Sequence, residues 1–376
     1  MANIYYNQPL LAQIGATFTG DAAYLPMFTQ VGAGLGMFLF VPLGDMFERR
    51  RLIVTVCLAT AMATILAAVA PSLSFLAAAS VLVGLTSIVP HLILPFAAQV
   101  SAPEERGRVV GTVLGGLLIG ILLARTASGF LGAEFGWRAV YGMAAALMLS
   151  LAAILAKQLP TSSPRISMPY PDLLRSILAF VMEQPLLREA AVIGGMLFGA
   201  FSAFWATLVF HLAAPPFHYG ARAAGLFGLI GAAGALVAPA AGRITDRKTP
   251  RFTVGIGIGT TIVSYLCLWL FGGSLLGLIA GVILLDLGVQ AGHVANQTRI
   301  YGLIPEARSR LNTVYMVTYF AGGALGSALG AYGWSASRWN GVCAAGLCLS
   351  VAALVVHLAG ESNVAKPKHE PSGGIL

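Results

Sequence analysis

Charged side chains are scarce in this chain. Asp, Glu, Lys and Arg together make up 10% of its 376 residues, whereas hydrophobic residues make up 57%. Because so apolar a chain, with a mean hydropathy of +0.83, cannot hide its side chains in one water-facing core, the composition excludes an ordinary soluble globular protein. It predicts a protein that lies in a lipid bilayer.

Cysteine is also rare, and the motifs of enzymes are missing. The four cysteines lie inside apolar runs without the spacing of metal ligands, so we expect neither a disulfide nor a metal site. The sequence contains no phosphate-binding loop and no nucleophile–base pair. We therefore expect a protein that is not an enzyme and needs no cofactor.

Long hydrophobic runs take the place of charge. Runs of about 20 residues are long enough to cross the hydrocarbon layer, and a single-chain span must be helical to satisfy its own backbone. We predict eleven complete transmembrane helices: 22–43, 52–70, 73–97, 109–132, 138–157, 190–212, 221–241, 252–271, 274–298, 312–332 and 339–359. The opening segment, "MANIYYNQPLLAQIGATF", is predicted to be the outer part of an incomplete first span, completed by an upstream extension of roughly 15 to 30 residues or lost by truncation.

Basic residues between the spans predict the orientation, because loops rich in Lys and Arg stay in the cytoplasm. The formal net charge of +8 then reflects topology rather than a nucleic-acid partner. We predict an N-terminal bundle at 1–157, a cytoplasmic linker with an amphipathic helix at 158–189, a C-terminal bundle at 190–360 and a cytoplasmic tail at 361–376.

Two stretches 202 residues apart read almost as copies. "PHLILPFAAQVSAPEERGR" ends at Arg108 and "GHVANQTRIYGLIPEARSR" ends at Arg310, so that His91 aligns with His293 and Arg106 with Arg308. A repeated six-helix unit in a membrane protein places two halves around a shared cavity, which is the usual design of a secondary transporter.

The loops after the second and eighth spans carry a resemblance. "VPLGDMFERRR" and "GRITDRKTPR" each contain an aspartate followed by basic residues, about one repeat apart, and with them the chain resembles the major facilitator superfamily over its whole length. Within that superfamily it is similar to the bacterial drug and sugar efflux branch of arabinose-efflux-permease type. The resemblance implies an all-α membrane fold of two six-helix halves, here with an incomplete first helix, in the bacterial inner membrane.

The same loops supply candidates for a latch. A carboxylate at the junction of two helices can engage a helix N-terminus and nearby guanidinium groups, and such contacts break and reform as the halves rock. We predict that the latch comprises Asp45, Arg49, Arg50, Asp246, Arg247, Arg106 and Arg308. The alternative is that these basic loops serve only to set the topology.

Polar side chains inside the membrane are the candidates for chemistry, because they are costly there. Asp286, Gln290, His293 and Gln297 share one face of the tenth span, and Arg125 is the basic residue deep within a span. We predict that Asp286, His293 and Arg125 couple transport to protons, with Asp286 and Arg125 forming an ion pair when the acid is ionised. The predicted substrate-cavity residues are Tyr5, Tyr6, Asn7, Gln8, His91, Gln290, Gln297, Asn312, Tyr315 and Tyr319.

Two further patterns have structural interpretations. The aromatic run of the seventh span, from Phe198 to Phe210, is expected to be partly lipid-facing packing with one edge on the cavity. Glycines, including Gly116 and Gly120 in the fifth span, are expected to permit close helix packing.

These patterns favour a secondary active transporter of a small organic solute, working by alternating access and exporting it in exchange for protons. The alternatives are a facilitator or proton symporter for uptake, or a truncated membrane protein without transport. The expected partners are a small-molecule substrate, protons and the lipid bilayer, with no nucleic acid, and we expect a monomer.

Overall fold

The computed structural model of the chain describes residues 1–102, 105–161, 169–235, 249–304 and 307–364. Within these ranges the regular secondary structure is entirely helical. The apolar composition and the need to satisfy the backbone within each segment explain this architecture.

The N-terminal half begins with two short 3-10 turns, Ala2–Ile4 and Gln8–Leu10, and a third turn follows α1 at Ala22–Tyr24. Its helices are α1 (Leu11–Phe18), α2 (Leu25–Phe40), α3 (Leu43–Met46), α4 (Arg49–Ala68), α5 (Leu73–Thr86), α6 (Val89–Val100), α7 (Arg106–Phe135) and α8 (Trp137–Gln158). The connecting helix is α9 (Tyr170–Glu183).

The C-terminal half comprises α10 (Pro185–Ala213), α11 (Ala221–Ala235), α12 (Pro250–Phe271), α13 (Leu275–Tyr301) and α14 (Arg308–Val364). Helix α14 is two helices in one run, because Ser337 and Arg338 have non-helical backbone angles. Nine helical stretches of the described ranges are long and apolar enough to cross a membrane. One of them runs through α5 and α6, and α14 accounts for two of the predicted spans.

The structure follows the predicted spans with two differences. The span 73–97 is divided into α5 and α6 by a turn at Ser87 and Ile88, just before Pro90, which suits the first turn of a new helix. The span 221–241 is described only as far as 235.

The internal repeat is visible in the helix starts. Helix α7 begins at Arg106 and α14 begins at Arg308, which are the residues that the sequence repeat aligns. Each follows a helix that carries the aligned histidine, His91 on α6 and His293 on α13. The all-α fold of two halves related by a repeat is thereby confirmed.

Glycines of α10 and α14 permit close helix packing, as expected. A Cβ at Gly326 of α14 would collide with the backbone of Gly199 on α10, so these two helices touch along their backbones. For Gly116 and Gly120 no described atom lies within 4 Å of a built Cβ, and the close packing expected there stays a prediction.

Contacts between the two halves are found at one end of the bundle. At the end that carries the α7–α8 turn, here called the turn end, Thr126 of α7 donates a 3.0 Å hydrogen bond to the carbonyl of Gly225 on α11, and Glu134 forms an ion pair with Arg222. The opposite end, which carries α9, is here called the linker end. The halves are therefore packed together at the turn end.

Candidate functional site between the two halves

Helix α10 forms the centre of the candidate site. It is the most buried of the candidate spans in the described part of the chain, because it packs against α14, α13 and the first segment. In its aromatic run Phe201 and Phe210 are half-buried, whereas Phe198, Phe204 and Trp205 are buried. These rings face protein on the inside of the bundle.

Arg125 of α7 reaches from the N-terminal half to this aromatic surface. The side chain is 2% exposed, and its Nε donates a 2.7 Å hydrogen bond to Oε1 of Gln8. The guanidinium carbon lies 4.2 Å from the ring centre of Trp205 and 4.5 Å from that of Tyr5. Such cation–π contacts stabilise a desolvated guanidinium without neutralising its charge.

Asp286 of α13 lies on the other side of the same region. It is 8% exposed, and a Cβ built at Gly231 of α11 would lie 3.2 Å from its Oδ2 and 3.0 Å from Cζ2 of Trp205. Trp205 is therefore close to both the carboxylate and the guanidinium. The charges of Asp286 and Arg125 interact through space across the two halves.

The predicted ion pair of Asp286 and Arg125 is not formed in this structure. No nitrogen of the described Arg125 side chain lies within 4.0 Å of an oxygen of Asp286, because the guanidinium is held by Gln8 and by the aromatic rings instead. As a result Nη2 of Arg125, Nε1 of Trp205 and Oδ2 of Asp286 are buried without a hydrogen-bond partner among the described residues. Buried polar groups left in this way are costly and call for an explanation.

His293 belongs to a second cluster one to two turns along α13. Its Nδ1 lies 3.1 Å from Oη of Tyr315, and its ring centre lies 4.8 Å from that of Tyr319. Tyr319 in turn stacks on Phe198 at 4.0 Å. The structure thus brings together three of the sequence candidates, His293, Tyr315 and Tyr319, and adds Phe198 as a neighbour of Tyr319.

The remaining candidates on α13 and α14 form a third group. Asn312 accepts hydrogen bonds from Oη of Tyr301 at 3.0 Å and from Nε2 of Gln297 at 3.4 Å. Gln290 lies half-buried on α13, on the turn between Asp286 and His293. His91 of α6 lies close enough to His293 for electrostatic interaction, so the histidines that the repeat aligns approach each other from the two halves.

Two residues of the first segment serve packing rather than the central cluster. Asn7 donates a 3.0 Å hydrogen bond to the hydroxyl of Thr29 on α2. The carbonyl of Tyr6 accepts a hydrogen bond from the hydroxyl of Ser128 on α7, and the Tyr6 ring is buried. Tyr5 and Gln8, by contrast, are in contact with Arg125.

The latch candidates are only partly described. Arg49 is buried and its Nε donates a 2.7 Å hydrogen bond to the carbonyl of Gly44, and Arg50 donates to the carbonyl of Ala156 at the end of α8. Arg308 donates from Nε to the carbonyl of Tyr301 at 3.0 Å. Residues Asp246 and Arg247, and the side chains of Asp45 and Arg106, lie outside the described part of the chain.

Helix α9 supplies contacts that the sequence did not reveal. Oη of Tyr170 donates a 2.7 Å hydrogen bond to the carbonyl of Leu39 on α2. Arg310 of α14 donates to the hydroxyl of Ser176 at 3.3 Å and lies 5.0 Å from the ring centre of Phe180. The linker therefore contacts both halves. Its amphipathic spacing predicted a helix but not these partners.

Comparison with known proteins gives consistent matches. A family model described as Major Facilitator Superfamily matches residues 1–292. The chain is 42% identical over 359 residues to the "Uncharacterized transporter YgaY" of Escherichia coli O157:H7, covering 95% of this chain and 91% of that protein. It is 35% identical over 349 residues to the "Probable transporter SCO4007" of Streptomyces coelicolor, covering 91% of this chain and 80% of that protein.

Solved structures show the same fold at low sequence identity. The chain superposes with a TM-score of 0.71 and 16% identity on a bacterial homologue of the human lysosomal transporter Spinster, in an inward-facing and occupied conformation, covering 96% of this chain and 92% of that one. It superposes with a TM-score of 0.75 and 10% identity on the nucleoside transporter NupG, covering 96% of each chain.

Proposed function

Because the chain belongs to the Major Facilitator Superfamily, we propose that this membrane transporter exports a small organic solute in exchange for protons. The solute binds between the two halves, and the halves rock about it to expose the site to each side in turn. Asp286 carries the exchanged proton, and Arg125 supplies the positive charge that balances the ionised Asp286.

The observation that carries this proposal is the pair of opposite charges buried between the halves. Arg125 belongs to the N-terminal half and Asp286 to the C-terminal half, both are almost fully buried, and each has a polar atom without a partner. An intramembrane ionisable residue is expensive and marks a substrate or proton pathway. A titration of Asp286 changes the electrostatic attraction between the halves, which is the property that proton coupling needs.

The position of the contacts between the halves supports loading from one side. The halves are joined at the turn end, so we place the opening of the site at the linker end. The basic loops 49–51, 106–108 and 299–310 belong to the linker end, which the positive-inside rule assigns to the cytoplasm. A site that opens to the cytoplasm receives an intracellular solute, in keeping with export.

The remaining parts of the proposal concern location and organisation. We place the transporter in the bacterial inner membrane as a monomer, with the C-terminus in the cytoplasm. The functional units are a bundle at 1–157, a linker at 158–189, a bundle at 190–360 and a tail at 361–376. The first and third units supply the two walls of the site.

The test is transport in vesicles with an imposed pH difference. Purified full-length protein is reconstituted, and proton flux is followed with an internal pH dye while a panel of drugs, sugars and metabolites is added to one side. We expect at least one solute to drive proton movement in the opposite direction, and Asp286→Asn to abolish that movement while solute exchange is retained.

Asp172→Asn is the matched control, because Asp172 is an exposed acid on α9 that pairs only with its neighbour Arg175 among the described side chains. It should behave as the parent does. Solute movement in the same direction as protons would instead support uptake by symport. Full pH-driven accumulation by Asp286→Asn would remove Asp286 from the coupling role and make His293 the next candidate.

A further inference from the structure

Three buried side chains of the site have polar atoms without a hydrogen-bond partner among the described residues. Arg125 offers a free donor at Nη2 and Trp205 offers a second at Nε1, whereas Asp286 offers a free acceptor at Oδ2, and the described residues supply no partner for any of them. All three side chains are more than nine-tenths buried. These atoms therefore match a solute that has one group to accept hydrogen bonds and another to donate them.

The separation of the two charges is also informative. A direct ion pair in so dry a place would be strongly attractive, yet Arg125 is held against Trp205 and Tyr5 and does not reach the carboxylate. Gln8 fixes the guanidinium from its remaining side through Nε. The protein thus keeps a positive and a negative group apart, with the indole of Trp205 close to both.

We propose that the transported solute is a zwitterion, with an anionic group that binds Arg125 and Trp205 and a cationic group that binds Asp286. This inference rests on the proposed transport function and names its substrate class. A carboxylate has two oxygens and matches the two free donors, Nη2 of Arg125 and Nε1 of Trp205. An ammonium group donates to the free oxygen of Asp286 and completes the set.

Other charge types leave part of the site unsatisfied. A simple anion leaves Asp286 without a partner, a simple cation leaves Arg125 without one, and a neutral solute leaves both, at the cost that buried unpaired charges carry. A zwitterion pairs both charges and adds no net charge to a site within the membrane. The rings of Tyr5, Phe201 and Trp205 around the guanidinium supply apolar contact for the body of the solute.

The same geometry links the solute to proton exchange. An ammonium group and a proton compete for the Asp286 carboxylate, so protonation of Asp286 favours release of the solute. Among the described residues, the charged and titratable groups close enough to Asp286 for electrostatic interaction are Arg125 from α7, Tyr5 from the first segment and Tyr319 from α14. Of these, Arg125 carries the positive charge that holds the anionic end of the solute.

The test compares matched ligands that differ in one charge. L-phenylalanine, 3-phenylpropanoate (which lacks the ammonium group) and 2-phenylethylamine (which lacks the carboxylate) are titrated by calorimetry into the purified full-length protein. L-leucine, 4-methylpentanoate and 3-methylbutylamine form a second set with a smaller body. We expect the zwitterion of at least one set to bind about 10-fold or more tightly than both of its single-charge analogues, because each analogue leaves one buried charge unpaired.

Two variants then assign the charges. Asp286→Asn should lose the preference for the zwitterion over the carboxylate analogue but keep the preference over the amine. Arg125→Gln should show the opposite pattern, and Arg125→Lys, which retains the charge, should keep both preferences if the glutamine variant fails to fold. Arg175→Gln, on the exposed surface of α9, is the control and should leave all the ratios unchanged.

Several results would overturn the inference. Equal or tighter binding of a single-charge analogue by the parent protein, or no binding of either zwitterion at millimolar concentration, contradicts it. Proton-driven transport of a solute with one charge or none, lost in Asp286→Asn, would keep the proposed function and reject the zwitterion. Zwitterion binding without any proton-driven movement would keep the substrate class and reject the coupling.

Discussion

The side-chain amide of Gln30 donates a 3.0 Å hydrogen bond to the hydroxyl oxygen of Ser327, which joins α2 of the N-terminal half to α14 of the C-terminal half. The hydroxyl of Ser202 on α10 donates a 3.3 Å hydrogen bond to the side-chain carbonyl oxygen of Gln30. The three residues are buried, so this small polar group is a discrete connection that must open when the halves separate at this level.

Removing that connection should shift the balance of conformations. We expect Gln30→Ala to cost the closed arrangement about 1 kcal/mol, the typical net value of such a bond, and hence to increase the fraction of molecules separated at the turn end roughly fivefold. Spin labels at Phe135 and Tyr219, both exposed near that end, report the separation by pulsed electron resonance in a cysteine-free background. Thr64→Val is the control, because the Thr64 hydroxyl forms its hydrogen bond within its own helix. An unchanged distance distribution in Gln30→Ala would contradict the role of the bond between Gln30 and Ser327.

Glu189 should be essential for the stability of the C-terminal half. Its Oε1 lies 2.9 Å from Nη2 of Arg299 and 3.2 Å from Nη1 of Arg251, and so connects α10, α13 and α12. Glu189→Gln leaves two guanidinium groups poorly paired, and we expect it to lower the free energy of unfolding by about 2–4 kcal/mol. Thermal unfolding in detergent measures the loss.

The exposed pair of Asp172 and Arg175 on α9 provides the comparison for that measurement. Such a pair contributes about 0–1 kcal/mol, so Asp172→Asn should unfold close to the parent temperature. A similar loss in both variants would mean that the Glu189 cluster has no special stabilising role.

A substitution at Gly231 alters the site without changing a polar side chain. A methyl group there would press on Trp205 at 3.0 Å and on the Asp286 carboxylate at 3.2 Å, so Gly231→Ala should displace one of them and reduce transport several-fold while the protein remains folded. Vesicle transport and thermal unfolding are measured together. Gly259→Ala on α12 is the control, because nothing described lies within 4 Å of a Cβ built there. Alanine in such an open helix position stabilises the helix by about 0.5–1 kcal/mol relative to glycine. Parent-like transport in Gly231→Ala would argue against a role for the contact of Gly231 with Trp205 and Asp286.

The latch hypothesis for Asp45 remains a prediction. If Asp45 holds one conformational state, Asp45→Asn should change the transport rate strongly while expression and membrane insertion stay near those of the parent. The rate in vesicles and the amount of inserted protein are the two readouts. Glu105→Gln, which removes an exposed partner of Arg108, serves as the control, and equal transport by Asp45→Asn and the parent would show that the loop sets topology only.

The sequence predicted the helices better than their contacts. Spans, repeat and fold follow from apolar runs and from the alignment of Arg106 with Arg308, because a bilayer forces each long apolar segment into a helix. The division of the fourth span at Ser87 was missed, since a short turn inside an apolar run leaves the hydropathy unchanged.

The face of a helix on which a side chain lies was also predictable, whereas its partner on another segment was not. His293, Tyr315 and Tyr319 came together because spacing on α13 and α14 places them on inward faces. The partner of Arg125 is Gln8, 117 residues away in the chain, and no periodicity encodes which of several polar groups a distant helix will meet.

Helix α9 is attached to α2 through Tyr170 and Leu39 and to α14 through Arg310 and Ser176. A short rigid rod fastened to two moving bodies acts as a tether of fixed length. We expect it to restrain how far the linker ends of the two halves separate. A segment outside the site would then influence the width of solute that can enter it.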